Sequence, residues 1–537
     1  MRILGINAVF HDPAAALVVD GQIVAAAEEE RFSRRKHGKE AVAFSTWELP
    51  VQSARWCLQQ AGLSPSDLDA VGYSYDPRLM QGQDTDLAGL DRDWEYLRTL
   101  YAERAPRFLR SALPGLDPDV VRYVRHHVAH AASSALASPH PDCAVLVVDG
   151  RGERTSMLAG AYTDNKLDIH AAQELPHSLG LLYEDLTQHL GFQRSSDEYK
   201  VMAMASYGKP RFADQFRELV YATGDGGFRT EPVDWEQFGT GWDDRVDLAC
   251  SVQRVVEEVL LELVRWLRTR TDHENLCLAG GVALNCVANS KLYNSGGFRD
   301  VWVQPAAGDS GTALGAALSL AAEAGEPIAP MPTAALGRGF SDDEIEAALT
   351  EAAVPFERPG DLAAAVGDAL ADDLIIGWFQ GRSEFGPRAL GRRSLLADPR
   401  RARNLDRLNA VKGREQFRPV APMVLAESAA EIFSGGPLPS PYMLFVHDVA
   451  PHWRARIPAV THVDNTARIQ TVDRSDALLH ATISRFAERT GVPVIVNTSC
   501  NTAGRPMVDS PRDALECFGS APIDVLAIGP LLVRRPR

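Results

Sequence analysis

RILGINAVFHDPAAALVVDGQIVAAAEEERF, residues 2–32, alternates apolar runs with two turn signals, and its reading decides the fold. Two strands flank the turn at His11-Asp12-Pro13, and a second turn at Asp20-Gly21 leads into a third strand. The pattern returns in CAVLVVDGRGERTSMLAGAYTDNKLDIHA, residues 143–171, where an apolar strand ends at Asp149-Gly150 before a returning strand and another turn. The chain therefore carries two copies of one strand-turn-strand unit. A helix is expected over residues 52–64, with a strand at 70–76, and an amphipathic helix over 251–271. Residues 275–292 and 301–325 each read as strand, turn and helix, so the class is α/β. The polar, aromatic segment 84–118 reads as a helical insertion.

At 537 residues the chain is too long for one ordinary core. The proline-rich stretch GEPIAPMPTAALGRG, residues 325–339, marks the expected boundary between domains at 1–338 and 339–537. Composition, 45% hydrophobic and 23% charged, is that of a globular protein rather than a disordered one. A formal net charge of -16 argues against a nucleic-acid partner. Seven scattered cysteines without a CxxC pair fit a reducing compartment, and no apolar stretch reaches the roughly 20 residues needed to span a bilayer. The expected address is the cytoplasm, and the apolar fraction allows a homodimer.

Several stretches carry chemistry. In VRHHVAHAASSALA, residues 124–137, His126 and His130 stand four apart on one helical face while His127 points elsewhere. Spacing alone makes such a pair more often a coincidence than a metal site; Asp149 and Asp309, at turns beside regular elements, are the carboxylates that would complete a shell for iron(II), manganese or zinc. His11 and Asp12 sit in the first turn, either as a general base with its orienter or as a turn-capping pair. Gly280-Gly281 between strand and helix lets backbone approach a ligand such as adenosine, although packing alone explains many such turns. In the second domain QGRSEFGPRALGRRSLLADPR, residues 380–400, carries Arg382, Arg388, Arg392 and Arg393 among glycines and a proline, a plausible oxyanion-binding loop. Lys412, Arg414, Arg418 and Arg468 add cations, and Asn497, Thr498, Ser499 and Asn501 end an apolar strand with small polar groups. Cations set among glycine, proline and aromatics in an acidic protein favour a phosphate-rich ligand over a solvated basic face.

Together these stretches resemble the O-carbamoyltransferases of the NodU/CmcH family, which modify antibiotics and other secondary metabolites. The strings that carry the resemblance are LGINAVFHDPAAALVVDG, EEERFSRRKHG, HHVAHAASSA, VVDGRGE, YKVMAMASYG, AGGVALN, GDSGTALGAAL, GRSEFGPRALGRRSLL, KGREQFRPVAP, ARIQTV and VNTSCNTAGRPMV, in the family order over essentially the whole chain. The resemblance implies an N-terminal actin-like ATPase domain of the ASKHA type and a C-terminal YrdC-like α/β domain. It implies that the second domain makes carbamoyl adenylate and pyrophosphate from carbamoyl phosphate and ATP, with magnesium, and that the first passes the carbamoyl group to a hydroxyl of a small natural product.

Carried onto this sequence, it places the metal on His126, His130 and Asp309, with Asp149 on or beside it. His11 is the implied general base and Asp12 its orienter. Lys36 meets the nucleotide, and Gly280, Gly281 and Asn285 form the adenosine-side turn. Arg388, Lys412, Arg418, Arg468, Asn497 and Ser499 bind carbamoyl phosphate and ATP. Cys500 and Arg505 depart from the family's usual phenylalanine and glutamate. The resemblance leaves the acceptor open; its contacts are expected in segments 76–119 and 223–244. Two other readings share features of the chain: a tRNA threonylcarbamoyl transferase, which the net charge disfavours, and a non-catalytic actin-like nucleotide sensor.

Overall fold

The computed structural model describes residues 1–38, 48–80 and 92–535 and divides into two compact units, Met1–Thr333 and Ala334–Arg537. The division lies five residues before the expected one (338 against 333). Residues just after it are tied to the second unit: Phe385 donates its N–H to Ala334 at 2.8 Å and Gly337 to Ser383 at 2.9 Å.

The first unit holds two five-stranded sheets of identical plan. In one, β1 (Arg2–Asn7), β2 (Ala14–Val19) and β3 (Gln22–Glu28) form an antiparallel meander, and β4 (Ala70–Tyr73) and β5 (Val121–Tyr123) add in parallel beside β1. In the other, β6 (Cys143–Val148), β7 (Thr155–Thr163) and β8 (Lys166–Glu174) make the meander, and β11 (Asn275–Ala279) and β12 (Asp300–Val303) add in parallel beside β6. This duplicated order, meander first and parallel strands after, is the plan of actin-like ATPase domains. A two-stranded hairpin, β9 (Val220–Ala222) with β10 (Phe228–Thr230), lies outside both sheets. The Asp20-Gly21 turn has φ of 49° and 73°, the paired left-handed geometry of a tight hairpin.

Ten helices belong to the described part of this unit: α1 (Glu30–Ser33), α2 (Val51–Gln60), α3 (Arg92–Ala112), α4 (His126–Ala135), α5 (Leu179–His189), α6 (Glu198–Ala205), α7 (Ala213–Leu219), α8 (Trp242–Arg268), α9 (Cys286–Ser295) and α10 (Ser310–Glu323). The expected insertion is helix α3 over its described part; residues 84–91 of that reading lie outside the described residues. Helix α8 begins nine residues before the expected Ser251, at Trp242, where Asp243 and Asp244 in the first turn complement the helix dipole. Helix α10 packs on β1 and on α4. That approach needs its small residues: a Cβ on Gly315 would fall 1.7 Å from the Ala129 carbonyl oxygen. None of the described helices is long and apolar enough to cross a membrane.

The second unit is built on a seven-stranded mixed sheet, β19-β15-β20-β14-β13-β21-β22, with β13 (Ile376–Phe379), β14 (Arg393–Ala397), β15 (Ala421–Leu425), β19 (Gln470–Val472), β20 (Val494–Ser499), β21 (Val525–Ile528) and β22 (Leu531–Arg534). A small sheet of β16 (Phe433–Ser434), β17 (His447–Val449) and β18 (Thr466–Ala467) accompanies it. Trp378, Phe379, Leu395, Ile483, Phe486 and Ile495 are among its buried core.

Candidate active site

Four side chains converge in the first unit. Helix α4 starts at His126, whose N–H donates to Glu153 Oε1 at 2.9 Å; the same oxygen takes the Asp76 N–H at 2.8 Å. A carboxylate thus holds the helix start, the favourable charge for that end. His126 Nδ1 lies 3.1 Å from the Ser74 carbonyl oxygen, so Nδ1 carries a proton and Nε2 is the atom turned toward the two carboxylates. Nε2 of His126 stands 3.6 Å from Asp149 Oδ2 and 3.5 Å from Asp309 Oδ1. Nε2 of His130 stands 3.7 Å and 3.5 Å from the same two oxygens. Both imidazoles are fully buried, and neither Nε2 has a hydrogen-bond partner.

These separations are too long for good hydrogen bonds but suit ligands of one ion. Two donors each roughly 2.1 Å from a common metal, near the tetrahedral angle, lie about 3.4 Å apart. The donor set, two imidazoles and two carboxylates with all four ligand atoms within 4.8 Å of one another, fits a first-row divalent ion. Burial by itself pushes both imidazoles down, yet Asp149 and Asp309 outweigh it and raise them. Burial likewise raises the two carboxyls, and the histidines more than reverse it. His127 faces away: its Nδ1 lies 3.0 Å from Thr155 Oγ1, and burial lowers its pKa to about 3.

The glycine turn braces this cluster. Gly281 N–H donates to Asp149 Oδ1 at 2.7 Å, which leaves Oδ2 to face the histidines. Gly280 has φ of 90°, and a Cβ there would fall 2.2 Å from the Val148 carbonyl oxygen, so glycine is required by the close pass of β6. Asn285 caps α9 by accepting from Ala288 N–H at 3.1 Å and exchanges hydrogen bonds with Gln253.

Beside the cluster lies the β1–β2 turn, because the Phe10 ring sits edge-on to His126 at 5.2 Å. His11 Nδ1 lies 3.2 Å from Asp12 Oδ2, the predicted pairing. The sequence reading missed a second imidazole: His37 Nδ1 meets Asp12 Oδ1 at 2.8 Å, and its Nε2 meets Ser196 Oγ at 2.8 Å. Burial would raise Asp12, but His37 and His11 hold it well below the ordinary carboxylate range. Phe10, Asp12, His37 and Ser195 all adopt left-handed backbone, φ of 60°, 43°, 60° and 56°. Such conformations cost roughly 1 kcal/mol or more each in non-glycine residues and gather at functional sites. Lys36, next to His37, places its ammonium 6.0 Å from the Tyr199 ring centroid. Glu198, at the start of α6, has its pKa raised to about 7 by burial and by Glu184.

In the second unit the register gathers the other predicted residues at one end of the sheet. Ala421 pairs with Asn497, Ser394 with Ser499 and Met423 with Gln470. The segments carrying Arg388, Arg418 and Arg468 therefore enter β14, β15 and β19 where β20 delivers Asn497 and Ser499. Lys412 is buried and donates to Ser499 Oγ at 2.8 Å and to Asn501 Oδ1. Burial, with Arg414 nearby, pushes its ammonium well below the ordinary lysine range. Asn497 donates to the Ala389 carbonyl at 2.8 Å; its Oδ1 and Arg468 Nε are buried without a hydrogen-bond partner.

Not every arginine of the 380–400 loop is available for an anion. Arg393 is fully buried over the Phe379 ring at 3.7 Å and donates to the Gln380, Gly381 and Arg338 carbonyls. Arg382 donates to the Leu336 and Gly337 carbonyls, and Arg392 pairs with Asp476 at 3.0 Å. These three hold the loop's shape, as does Glu384, whose Oε1 accepts the N–H groups of Leu390, Arg392 and Arg393. Cys500, one of the two departures, lies buried with its sulfur 3.9 Å from that of Cys517.

Two family models match the chain: "Carbamoyltransferase N-terminus" over residues 2–115 and 78–318, and "Carbamoyltransferase C-terminus" over residues 367–535. Similar chains include the uncharacterized protein sll1178 of a Synechocystis strain, 36% identical over 98% of this chain and 95% of that one. Nodulation protein NolNO of Sinorhizobium fredii is 38% identical over 98% of this chain and 80% of its own length. Among solved structures, an activator of 2-hydroxyisocaproyl-CoA dehydratase from Clostridium difficile aligns with 60% of this chain and 97% of that one at 12% identity and a TM-score of 0.35.

Proposed function

We propose, from the premise that this chain belongs to the carbamoyltransferase family, that it is an ATP-dependent O-carbamoyltransferase acting on a hydroxyl of a small natural product, with its two half-reactions divided between the two units. The observation that carries this reading is the buried His126, His130, Asp149 and Asp309 cluster beside the His11-Asp12 pair. It supplies, in one place, ligands for a divalent ion and a base held in one tautomer.

In the first half-reaction carbamoyl phosphate, ATP and one water give carbamoyl adenylate, pyrophosphate and phosphate, the water taking the phosphoryl group as the carbamate oxygen displaces pyrophosphate from ATP. The YrdC-like second unit does this, with Arg388, Lys412, Arg418 and Arg468 balancing the negative charge of two phosphorylated substrates. Ser499 orients Lys412 and Asn497 offers its buried oxygen to the planar carbamoyl amide. Among the described residues this unit gathers no set of three histidine or carboxylate ligands, so magnesium fits there as a companion of the nucleotide phosphates.

In the second half-reaction His11 takes the proton of the acceptor hydroxyl, whose oxygen attacks the carbamoyl carbon as AMP leaves. Asp12 stays ionised and holds Nδ1–H of His11, so that Nε2 is the basic atom. His126, His130, Asp149 and Asp309 would hold iron(II), manganese or zinc, which supplies Lewis-acid stabilisation of the adenylate phosphate. Gly281 and Ser74 keep Asp149 and His126 facing that position. Lys36 and the turn at Gly280, Gly281 and Asn285 face the nucleotide. The enzyme works in the cytoplasm.

The test measures pyrophosphate and AMP release from ATP plus carbamoyl phosphate, with and without a pool of hydroxylated natural products. Arg418→Ala should abolish pyrophosphate release, whereas His126→Ala should keep it and lose acceptor-dependent AMP. Wild-type protein that released no pyrophosphate with any divalent ion would overturn the proposal.

A further inference from the structure

We infer that Ser196, His37 and Asp12 form a nucleophilic triad in which Ser196 Oγ takes up a carbamoyl group when no acceptor hydroxyl is engaged. The geometry is that of an activated serine. Ser196 Oγ lies 2.8 Å from His37 Nε2, and His37 Nδ1 lies 2.8 Å from Asp12 Oδ1. Nucleophile, base and orienter are thus in sequence, with the base's tautomer set by the carboxylate. Ser196 is partly exposed, as a nucleophile must be.

Asp12 serves two bases with its two oxygens, His11 through Oδ2 and His37 through Oδ1, and the two rings lie 5.0 Å apart. A carbamoyl donor within reach of one base is therefore beside the other. The backbone is committed to this arrangement: Asp12, His37 and Ser195, the residue before the nucleophile, all take left-handed conformations without being glycine. A serine hydroxyl that merely satisfied a histidine would not require a carboxylate behind that histidine.

This inference rests on the proposal that carbamoyl adenylate reaches the first unit. The Ser196 Oγ–H proton passes to His37 Nε2 as the Oγ–C bond forms at the carbamoyl carbon. The bond from that carbon to the adenylate phosphate oxygen breaks, and AMP leaves with the electron pair. Asp12 stays ionised against the imidazolium. The product is a carbamate ester, whose nitrogen lone pair feeds into the carbonyl and slows further attack, so it persists long enough to be isolated.

Two experiments on the full chain decide the matter. In the first, protein incubated with ATP, carbamoyl phosphate and a divalent metal, without acceptor, is digested and the Ser196 peptide is weighed by mass spectrometry while pyrophosphate is measured in the same tube. The expected result is a gain of one carbamoyl group on Ser196, absent in Ser196→Ala and reduced by roughly 10²-fold or more in His37→Gln. Pyrophosphate release without any adduct, or an adduct that survives in Ser196→Ala, would overturn the triad. In the second, a fluorophosphonate probe, which needs only an activated serine, should label Ser196 in the wild type and not in His37→Gln. Absence of pyrophosphate would sink the proposed function instead, and the probe then decides the triad alone: labelling at Ser196 supports it and no labelling ends it.

Discussion

The two sheets of the first unit share one strand order, and their equivalent turns carry different chemistry. The β1–β2 turn presents His11 and Asp12, an imidazole paired with a carboxylate; the β6–β7 turn presents Asp149, which faces two histidines. The first turn is half-buried and strained, with left-handed Phe10 and Asp12, whereas Asp149 is buried and braced by Gly281. A duplicated scaffold thus delivers two loops of different chemistry to one neighbourhood, an imidazole–carboxylate pair in one and a carboxylate facing two imidazoles in the other. Phe10 joins them: the Arg151 guanidinium of the β6–β7 turn lies over its ring at 5.1 Å, and the ring sits edge-on to His126 of the cluster at 5.2 Å.

The comparison breaks first at the β6 side. His130→Ala or Asp309→Asn should empty the cluster of divalent metal by elemental analysis and lower carbamoyl transfer by roughly 10³-fold, with pyrophosphate release retained. Asp12→Asn attacks the other turn: both imidazoles lose the partner that sets their tautomers, and transfer should fall by roughly 10²- to 10⁴-fold while metal content holds. Metal loss in Asp12→Asn would merge the two turns into one site.

Lys412→Met leaves both turns intact and should lower pyrophosphate release by roughly 10²-fold, which separates the units rather than the turns.

Smaller effects sharpen the structural half of the comparison. A carboxyl with its pKa at about 7 rather than 4.5 binds more protons folded than unfolded, so Glu198 destabilises the fold increasingly as pH rises from 4.5 to 7. Glu198→Gln should therefore gain up to ~3 kcal/mol on the wild type above pH 7 and little at pH 4.5, measured by urea denaturation at both pH values. Gly280→Ala, forced against the Val148 carbonyl, should cost about 1–3 kcal/mol in the same measurement and loosen metal binding through Asp149.

Much of the site was legible because its signals are local. His126 and His130 need only helical spacing to share a face, and Asp149 and Asp309 end or begin elements that apolar runs delimit. The start of α8 was misplaced because the charged first turn of that helix breaks its apolar stripe. The roles of Arg382, Arg392 and Arg393 were misjudged for a different reason: a cation donating to backbone carbonyls and one awaiting a phosphate look alike in sequence. His37 was passed over because its partners, Asp12 and Ser196, lie 25 and 159 residues away.

The sequence by itself determined the strand-turn-strand duplication, the α/β class, the helical histidine pair and the family, since periodicity, turn residues and ordered strings are properties of neighbouring positions. Only the tertiary structure decided which polar groups meet: Gly281 on Asp149 across 132 residues, Glu153 under the start of α4, and two imidazoles on one carboxylate. The physical reason is range. Backbone preference acts over a few residues, whereas a buried charge finds its partner wherever packing brings one, and the cost of leaving it alone selects the fold that does so.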